Sequence, residues 1–382
     1  MSAALTIIGT GLAGYTLARE FRKLDKTTPL RLISLDAGYF YSKPMLSNVF
    51  VQKKTIESLK ISTAENLAQQ LNAEILTNCA VTKIDSATHS LQIQDKTLNY
   101  SKLVFAIGAE QIRLPLVGNA AGKIFTVNDL EDYQQFYNAL HGKKRVAILG
   151  AGLIGCEFAN DLQQAGFEVS LIDLAAYPLA RLVPPPIGEA LQQTLVKLGV
   201  KPYFSQTVAS VDTLGDSYQL RLSSEQLIDA DVVLSAIGLR ARTQLAAAAG
   251  LNVARGIVVN RYLQSSDADI YALGDCAQVE NLLLPYVMPL MQAARALAKT
   301  LTGELTAVHY PAMPVVVKTP AFPMAVAPPA ENSVGTWEIV GDGINWKAIF
   351  TAADGQVLGW VLTGKYLAEK QALTKLLPPI LA

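Results

Sequence analysis

Cysteine is scarce in this chain of 382 residues, which contains only Cys79, Cys156 and Cys276. These residues are far apart and form no Cys-x-x-Cys pair, so neither a disulfide framework nor a cysteine metal site is expected. The thiol exchange of disulfide reductases is excluded as well, because it needs two close thiols. We therefore expect free thiols and no bound metal.

Net charge is also lacking, since 32 basic side chains balance 32 acidic ones. This balance gives no support for nucleic acid or an anionic membrane as a partner. No apolar run reaches about 18 residues, so we expect no membrane insertion. The first apolar strand begins at Ala4, and we therefore expect no secretory signal and a cytoplasmic location.

Glycine, by contrast, recurs in a pattern that appears twice. In the first copy, residues 4–36, an apolar strand meets a glycine turn, a helix is predicted through Leu24, and a strand over Leu30–Leu35 ends at Asp36. Such a unit binds a dinucleotide, because the glycines admit the pyrophosphate and the acid accepts from a ribose hydroxyl. The candidate binding residues of this copy are Gly9, Thr10, Gly11, Leu12, Ala13, Gly14, Ser34 and Asp36.

The second copy occupies residues 145–173, with a helix predicted to Ala165 and a strand that ends at Asp173. A carboxylate at this strand end repels the 2′-phosphate of NADPH and favours NADH. Two complete copies predict two nucleotide sites, and the alternative is one site plus a copy retained for packing. The candidate residues here are Gly150, Gly152, Leu153, Ile154, Gly155 and Asp173.

Two later strands have similar endings. KLVFAIGAE at 102–110 and DVVLSAIGL at 231–239 both close on Ala-Ile-Gly, which suits backbone that passes close to a cofactor. DADIYALGDCAQV at 267–279 places an acid directly after a glycine, at the sheet edge where ligands of such sheets gather. The candidate residues of these segments are Ala106, Gly108, Gly238, Gly274 and Asp275.

The sequence pattern changes in the last part of the chain. A helix is predicted over 289–302, opening with Pro289, and its first N–H groups and positive dipole end are available to a ligand. Prolines cluster from about residue 310. Short strands over 336–340 and 346–351 and a final helix over 369–376 then indicate a smaller α+β domain.

These motifs together resemble the flavoprotein reductases that have two dinucleotide-binding domains, and YSKPMLS at 41–47 is most similar to bacterial rubredoxin reductases. The resemblance implies an α/β fold with two Rossmann-like domains of glutathione reductase type and a small C-terminal α+β domain. It assigns residues 1–113 and 238–309 to a discontinuous FAD-binding domain, 114–237 to an NAD-binding domain and 310–382 to the C-terminal domain.

The resemblance also implies the activity, which is electron transfer from NADH through FAD to rubredoxin, feeding an alkane hydroxylase system. Two alternatives stay open. The acceptor could be flavorubredoxin or ferredoxin, or the chain could be a nucleotide-binding sensor that turns over poorly. Flavin absorbance that NADH bleaches would separate the sensor from the reductases.

Further site residues follow from the resemblance alone. Glu157 would lie where nicotinamide and flavin meet, with a surface or capping glutamate as the alternative. Lys43 or Lys318 would place a cation against the flavin, with a solvent-reaching lysine as the alternative; Glu157 and Lys43 are the candidate catalytic residues. The remaining candidate flavin contacts are Pro44, the Asp275 carboxylate at the ribityl chain, the Val287 N–H at the pyrimidine edge and the Val81 backbone at the adenine, where Val81 could equally be plain core.

The chain departs from the ferredoxin-linked reductases at two positions. Asn48 replaces a lysine near the flavin, for which Lys43 would substitute, and Asn128 stands where an arginine is common. Both departures argue against a ferredoxin partner. Because the chain has no net charge to attract an acidic rubredoxin, we expect a local basic rim drawn from Lys43, Arg295, Lys299 and Lys318.

Overall fold

The structure, a computed structural model, describes residues 3–382, and strands and helices alternate there as the two glycine patterns predict. Twenty-four strands lie in this part of the chain: β1 (Ala4–Ile8), β2 (Leu30–Ile33), β3 (Glu74–Leu76), β4 (Val81–Asp85), β5 (Ser90–Ile93), β6 (Lys96–Phe105), β7 (Ala109–Gln111), β8 (Phe125–Thr126), β9 (Arg145–Leu149), β10 (Glu168–Asp173), β11 (Lys201–Phe204), β12 (Val208–Leu214), β13 (Ser217–Leu222), β14 (Leu227–Ala230), β15 (Val232–Ser235), β16 (Leu239–Ala241), β17 (Ile257–Val259), β18 (Ile270–Ala272), β19 (Ala277–Val279), β20 (Val315–Val317), β21 (Met324–Ala327), β22 (Thr336–Asp342), β23 (Asn345–Thr351) and β24 (Val357–Thr363).

Nine α-helices lie in the same residues: α1 (Leu12–Leu24), α2 (Ile56–Leu59), α3 (Ala64–Leu71), α4 (Leu130–Ala139), α5 (Leu153–Gln164), α6 (Pro185–Leu198), α7 (Gln244–Ala248), α8 (Val287–Leu301) and α9 (Lys370–Thr374). Short 3₁₀ helices occur at Lys43–Asn48, Ala121–Lys123, Gly274–Cys276 and Gly364–Glu369. Within residues 3–382, no helix is long and apolar enough to cross a membrane.

The first sheet is parallel at its centre, with the strand order β3-β2-β1-β6 and with β18 beside β6. β4 and β5 add an antiparallel hairpin to the first half of β6. Ile7 on β1 and Val104 on β6 are fully buried, because helices such as α1 and α8 cover this parallel region. The carboxyl ends of its strands therefore meet at one edge, directly above the first glycine turn.

The second sheet repeats this plan, with the parallel strand order β11-β10-β9-β15-β8. A three-stranded antiparallel sheet, β12-β13-β14, follows β11 as the hairpin follows β3 in the first copy. The chain leaves the first unit through β7 and returns to it through β16, and these two strands pair antiparallel. The two Rossmann-like units predicted from the glycine spacing are confirmed.

The chain ends in a five-stranded antiparallel sheet of order β20-β21-β24-β23-β22, followed by α9. Trp360 on β24 is fully buried at its centre. This arrangement confirms the small C-terminal α+β unit.

Several predicted boundaries were wrong by a few residues. β2 ends at Ile33 rather than Leu35, because Leu35 already turns outward and is 73% exposed. α8 begins at Val287, two residues before Pro289, so proline occupies its first turn rather than its first position. The last helix is shorter than predicted, because a 3₁₀ turn over Gly364–Glu369 precedes it.

The outer glycines of each turn are required by packing between helix and strand. A Cβ on Gly14 would lie 1.9 Å from the Gly9 oxygen, and one on Gly155 would lie 1.8 Å from the Gly150 oxygen. Gly9 itself has a φ of +110°, and a Cβ on it would lie 2.2 Å from the Ala106 oxygen. No side chain fits at such distances, so these glycines let α1 and α5 approach the strands beneath them.

Helix α5 also ties the second sheet to other parts of the chain. The Asp161 carboxylate, fully buried, accepts from the backbone N–H groups of Val51 (2.8 Å) and Phe50 (3.2 Å). The buried Asn160 accepts from the backbone N–H of Ala321 at 3.3 Å. One helix face therefore contacts both the loop after the first 3₁₀ helix and the C-terminal unit.

Substitution of Gly155 by alanine is expected to lower the melting temperature of the nucleotide-free protein by about 5 °C or more, since the new methyl overlaps a backbone oxygen. Gly152→Ala is the matched control, because a Cβ there meets nothing within 4 Å and the residue has an ordinary φ of −73°. Its melting temperature should stay within about 2 °C of the parent, and differential scanning calorimetry measures both. Equal losses in the two variants would contradict the packing argument.

Asp161 makes stability depend on pH. Burial raises the pKa of this carboxyl to about 6, although the two N–H donors and Lys318 act in the opposite direction. The folded protein therefore holds the proton more tightly than the unfolded chain, and stability falls as pH rises from about 4 to about 6. The difference corresponds to roughly 2–3 kcal/mol, at about 1.4 kcal/mol per pKa unit. Asp161→Asn should gain stability relative to the parent between pH 4.5 and pH 7.5, as followed by thermal unfolding.

Asp231→Asn provides the control for this pH dependence. Despite partial burial, hydrogen bonds from Arg145 hold the pKa of Asp231 at about 2, so its carboxylate is charged across the whole range measured. The Asp231→Asn variant should lose a similar amount of stability, relative to the parent, at pH 4.5 and at pH 7.5. An Asp161→Asn protein whose stability relative to the parent does not change with pH would show that burial does not govern this carboxyl.

Candidate functional site

Polar side chains follow the carboxyl end of β2, beside the first glycine turn. Thr10 and Ser34 are joined by a hydrogen bond between their hydroxyls, and Ser34 Oγ contacts Asp36 Oδ1 at 2.6 Å. Asp36 Oδ1 also accepts from the Gly38 N–H at 2.8 Å, which fixes the carboxylate. Within residues 3–382 the other oxygen, Oδ2, accepts no hydrogen bond, so it is available to a ribose hydroxyl.

The equivalent acid of the second unit braces its own turn. Asp173 Oδ2 accepts from the Ala151 N–H at 2.5 Å and Oδ1 accepts from the Ala175 N–H at 2.7 Å. The negative charge is therefore held between the glycine turn and the residues after β10. Ribose hydroxyls can use the remaining lone pairs of these oxygens, whereas a phosphate at this position would meet a fixed negative charge.

The central glycine of each turn has a different role from its neighbours. Gly11 and Gly152 have extended backbone with φ of −66° and −73°, and a Cβ on either would meet nothing within 4 Å. Neither the backbone conformation nor the surrounding protein therefore requires glycine at these positions. A dinucleotide pyrophosphate that approaches the backbone would require it, so the residues present fit such a cofactor at both turns.

Other glycines of the predicted site give the backbone positive φ angles at the same sheet edges. Gly108, after β6, has φ +66° with nothing within 4 Å of a Cβ, and Gly238, after β15, has φ +122°. Gly274 has φ +74°, and a Cβ there would lie 2.9 Å from the Ala13 Cβ. Ala106 is buried beneath the first turn. Glycine and alanine at these positions leave no large side chain beside the two glycine turns.

Lys43 lies at the junction of the first sheet with the entry to the second. Its Nζ donates to Asn128 Oδ1 at 2.5 Å and lies 3.9 Å from Asp275 Oδ2. Burial lowers the pKa of Lys43, and the nearby Asp275 carboxylate opposes this effect. The structure therefore brings Lys43 and Asp275 together, with the Lys43 side chain 34% exposed.

Glu157 is the centre of a second polar cluster. It is the fifth residue of α5, is only 5% exposed, and is neither a cap nor a surface residue. Its Oε2 accepts from Lys318 Nζ at 2.6 Å and from Ser47 Oγ at 2.5 Å, and its Oε1 accepts from the Lys318 backbone N–H at 3.0 Å. Glu157 is therefore neither the surface glutamate nor the capping glutamate that was considered as an alternative, because its carboxylate is buried and paired.

Lys318 reaches this cluster from the start of the C-terminal sheet. Besides Glu157, its amine donates to Ser47 Oγ at 2.9 Å and to the Pro44 carbonyl. The amine therefore contacts the residue that precedes Asn48. Lys43 donates instead to Asn128, and its replacement of the lysine that similar reductases have at position 48 stays a prediction.

The remaining predicted residues lie at the rims of the grooves. Val81 begins β4 and is partly buried, and Val287 begins α8 and is 39% exposed. As a first-turn residue, Val287 has a backbone N–H with no partner inside the helix. Leu12, Leu153 and Ile154 open α1 and α5, directly after the central glycines.

Sequence analysis missed Ser47, Asn160 and Asp161 as members of the site. Glu157, Asn160 and Asp161 are spaced i, i+3 and i+4, which places them on one face of a helix. These three are the only polar residues among the first ten of the helix, which is a signal that could have been found. Ser47 carried no such signal, because its partners are more than 100 positions away.

Neither buried cysteine is suited to redox chemistry. The Cys156 thiol donates to the Ala151 carbonyl and the Cys276 thiol to the Leu273 carbonyl. Burial raises the pKa of Cys156 strongly and that of Cys276 to about 12, so both stay protonated. In the part of the chain that the structure describes, no group of three His, Cys, Asp or Glu side chains could hold a metal ion.

Comparison with known proteins agrees with this geometry. Residues 3–298 match the pyridine nucleotide-disulphide oxidoreductase family, and residues 307–377 match the rubredoxin binding C-terminal domain. The chain is 49% identical over 379 residues to the rubredoxin-NAD(+) reductase of Alcanivorax borkumensis, covering 99% of each chain. It is 46% identical over 388 residues to the rubredoxin-NAD(+) reductase of Acinetobacter baylyi, covering 99% of this chain and 98% of the relative.

Among solved structures, the covalent putidaredoxin reductase-putidaredoxin complex superposes with a TM-score of 0.89 at 26% identity, covering 99% of this chain and 94% of that chain. The full-length matches extend over both glycine turns and the C-terminal sheet. The chain therefore belongs to the pyridine nucleotide-disulphide oxidoreductase family and, within it, to the rubredoxin-NAD(+) reductases.

Proposed function

We propose that this protein is an FAD-dependent reductase that transfers electrons from NADH to rubredoxin. The observation that carries this proposal is the contact of Glu157 with Ser47 and Lys318. It joins the helix of the second nucleotide turn, the loop beside the first and the beginning of the segment that matches a rubredoxin-binding domain. Donor, flavin and acceptor sites therefore converge on one point of the molecule.

A bound flavin accepts a hydride from NADH and passes single electrons to an iron protein. Residues of this chain are suited to bind the flavin cofactor in this reaction. The Gly11 turn and Asp36 suit the dinucleotide part of FAD, and Asp275 beside Lys43 suits its ribityl hydroxyls. The α8 N-terminus at Val287 presents a positive dipole end that stabilises negative charge on a ring placed against it.

The buried Glu157 has two tasks in this arrangement. It neutralises Lys318 and so lets that cation stay in a partly buried position beside Ser47. It also holds α5, and with it the second nucleotide turn, at a constant distance from the loop at Ser47. Orientation of two cofactors at constant distance is the main requirement for hydride transfer.

Three of the four cations expected to form a basic rim lie close to carboxylates of the chain itself. Lys43 and Lys318 pair inside the molecule, and Lys299 pairs with Glu304 at 3.0 Å. Of the four cations, only Arg295 is exposed and forms no salt bridge within residues 3–382. The exposed apolar residues near the helix N-terminus and on β20, Val287, Met288 and Val316, support docking through apolar contact instead.

The domain division predicted above, with residues 1–113 and 238–309 binding FAD, 114–237 binding NADH and 310–382 binding the acceptor, belongs to this proposal. So does a cytoplasmic location, which is supported by the need for NADH, and so does a place upstream of an alkane hydroxylase. The latter is supported by the resemblance to reductases of alkane-hydroxylating bacteria.

The test of the proposed function is NADH oxidation by the purified holoprotein with rubredoxin, ferredoxin or flavorubredoxin at equal concentration. We expect NADH alone to bleach the flavin absorbance without air, and rubredoxin to give turnover at least about tenfold faster than ferredoxin. Bleaching without acceleration by any of the three would leave a nucleotide-binding sensor. Faster turnover with flavorubredoxin or ferredoxin would change the acceptor but not the reductase.

Cofactor choice should depend on Asp173. The parent is expected to use NADH with at least about tenfold higher kcat/KM than NADPH, a difference of about 1.4 kcal/mol. Asp173→Asn removes the charge but keeps the shape that accepts from Ala151, and it should erode this preference. Leu174→Arg, at a neighbouring residue that is 75% exposed, should raise kcat/KM for NADPH while Asp173 stays in place. Equal efficiency of the two cofactors in the parent would refute this role.

A further inference from the structure

Arg242 occupies a defined position at the edge of the first sheet. Its backbone N–H donates to the Gly108 carbonyl at 3.1 Å and its Nη1 donates to the Ile107 carbonyl at 3.1 Å. Both carbonyls directly follow β6, the strand whose last residues pack against the first glycine turn at Gly9. The guanidinium is therefore bound to the backbone segment that adjoins the first glycine turn.

The charge of Arg242 has no counter-ion of its own. Within the described residues no carboxylate lies within 4 Å of its guanidinium, which is partly buried. Its positive charge even adds to the effect of burial in lowering the pKa of Lys43, so two cations lie near each other. Two carboxyls feel the charge of Arg242 without forming a salt bridge with it. Burial raises the pKa of Asp129 and disfavours its charge, and the pKa of Glu110 is lowered mainly by its hydrogen bond from Arg240.

Arg240, two residues earlier, shows the opposite arrangement. It is exposed and contacts Glu110 Oε1 through Nη2 at 2.6 Å and through Nε at 3.3 Å. The same short segment thus contains one arginine that is neutralised at the surface and one whose remaining N–H donors lack a protein partner. A partly buried cation in this state is unfavourable unless a ligand supplies the negative charge.

We propose that Arg242 binds the pyrophosphate of FAD in the first dinucleotide site, an inference that rests on the proposed function. A pyrophosphate diester carries two negative charges, and the α1 N-terminus offers only about half a positive charge. No basic side chain lies in the first turn of α1. A guanidinium presents a planar fork of donors that matches phosphate oxygens, which an ammonium does not.

The neighbouring Asn128 fits the same assignment. It stands where an arginine is common in similar reductases, and its amide is occupied by Lys43 and by the Ala109 carbonyl. Ala109 and Gly108 are consecutive residues, so Asn128 and Arg242 approach the same short stretch of backbone from two elements. Arg242 is thus a cation bound to the same stretch of backbone that Asn128 contacts.

The experiment is titration of the apoprotein with FAD, followed by quenching of flavin fluorescence at 50 mM and 300 mM NaCl. Arg242→Gln should weaken the dissociation constant at least about tenfold and reduce its dependence on salt, because salt screens a cation–phosphate contact. Arg240→Gln is the matched control and should stay within about twofold of the parent. Arg242→Gln combined with Asn128→Arg should recover part of the lost affinity.

A purely structural role of Arg242 at the Ile107 carbonyl would give a different pattern. Arg242→Gln would then bind FAD as tightly as Arg240→Gln with the same salt dependence, and the inference would be overturned. Should Arg242→Gln not fold, Arg242→Lys keeps a cation without the planar fork and must show weaker FAD binding for the inference to stand. A parent apoprotein that binds no FAD would instead refute the proposed function itself.

Discussion

The buried ion pair between Glu157 and Lys318 is the interaction on which the arrangement of this molecule depends. A carboxylate that is 5% exposed must be paired, because an isolated charge at such a position costs several kcal/mol. Its partners come from the loop at Ser47 and from the C-terminal sheet, so the pair forms only when three separate parts of the chain are correctly placed. The charge thereby couples the folding of these parts to their relative position.

Around this pair, α5 acts as the common support of the site. Its first turn faces the second nucleotide groove, its middle carries Glu157, and its later residues Asn160 and Asp161 bind backbone N–H groups on both sides. Because one rigid helix carries all of these contacts, a shift of the second nucleotide turn would disturb the loop beside the first. The distance between the two grooves is therefore set by side chains and not by the connecting strands β7 and β16 alone.

Charges around the first nucleotide site are also paired within the molecule wherever this is possible. Cations on its rim are neutralised inside the molecule where a carboxylate is available, as with Lys43 near Asp275 and Arg240 on Glu110. Arg242 lacks such a partner in the described residues, and the anionic cofactor completes its environment. The acceptor surface proposed above has several exposed apolar side chains, which favours contact area over long-range attraction.

Much of this could be predicted from sequence, because the decisive signals are local. The spacing of Gly9, Gly11 and Gly14, and its repetition at residues 150–155, reflects how closely a helix must approach the strand before it, which neighbouring residues alone determine. The end of β2 and the beginning of α8 were each missed by two residues, since exposure at Leu35 and the true first turn at Val287 depend on packing with other elements.

The polar contacts of the site were beyond such reasoning. Ser47 and Glu157 are 110 positions apart and Lys318 lies 161 positions beyond Glu157, so only the completed fold could decide that Lys318, and not Lys43, pairs with Glu157. The sequence by itself determined two nucleotide-binding units and their glycine turns, because short-range sterics specify them. The tertiary structure decided which charges meet, because a buried charge selects its partner by position in space.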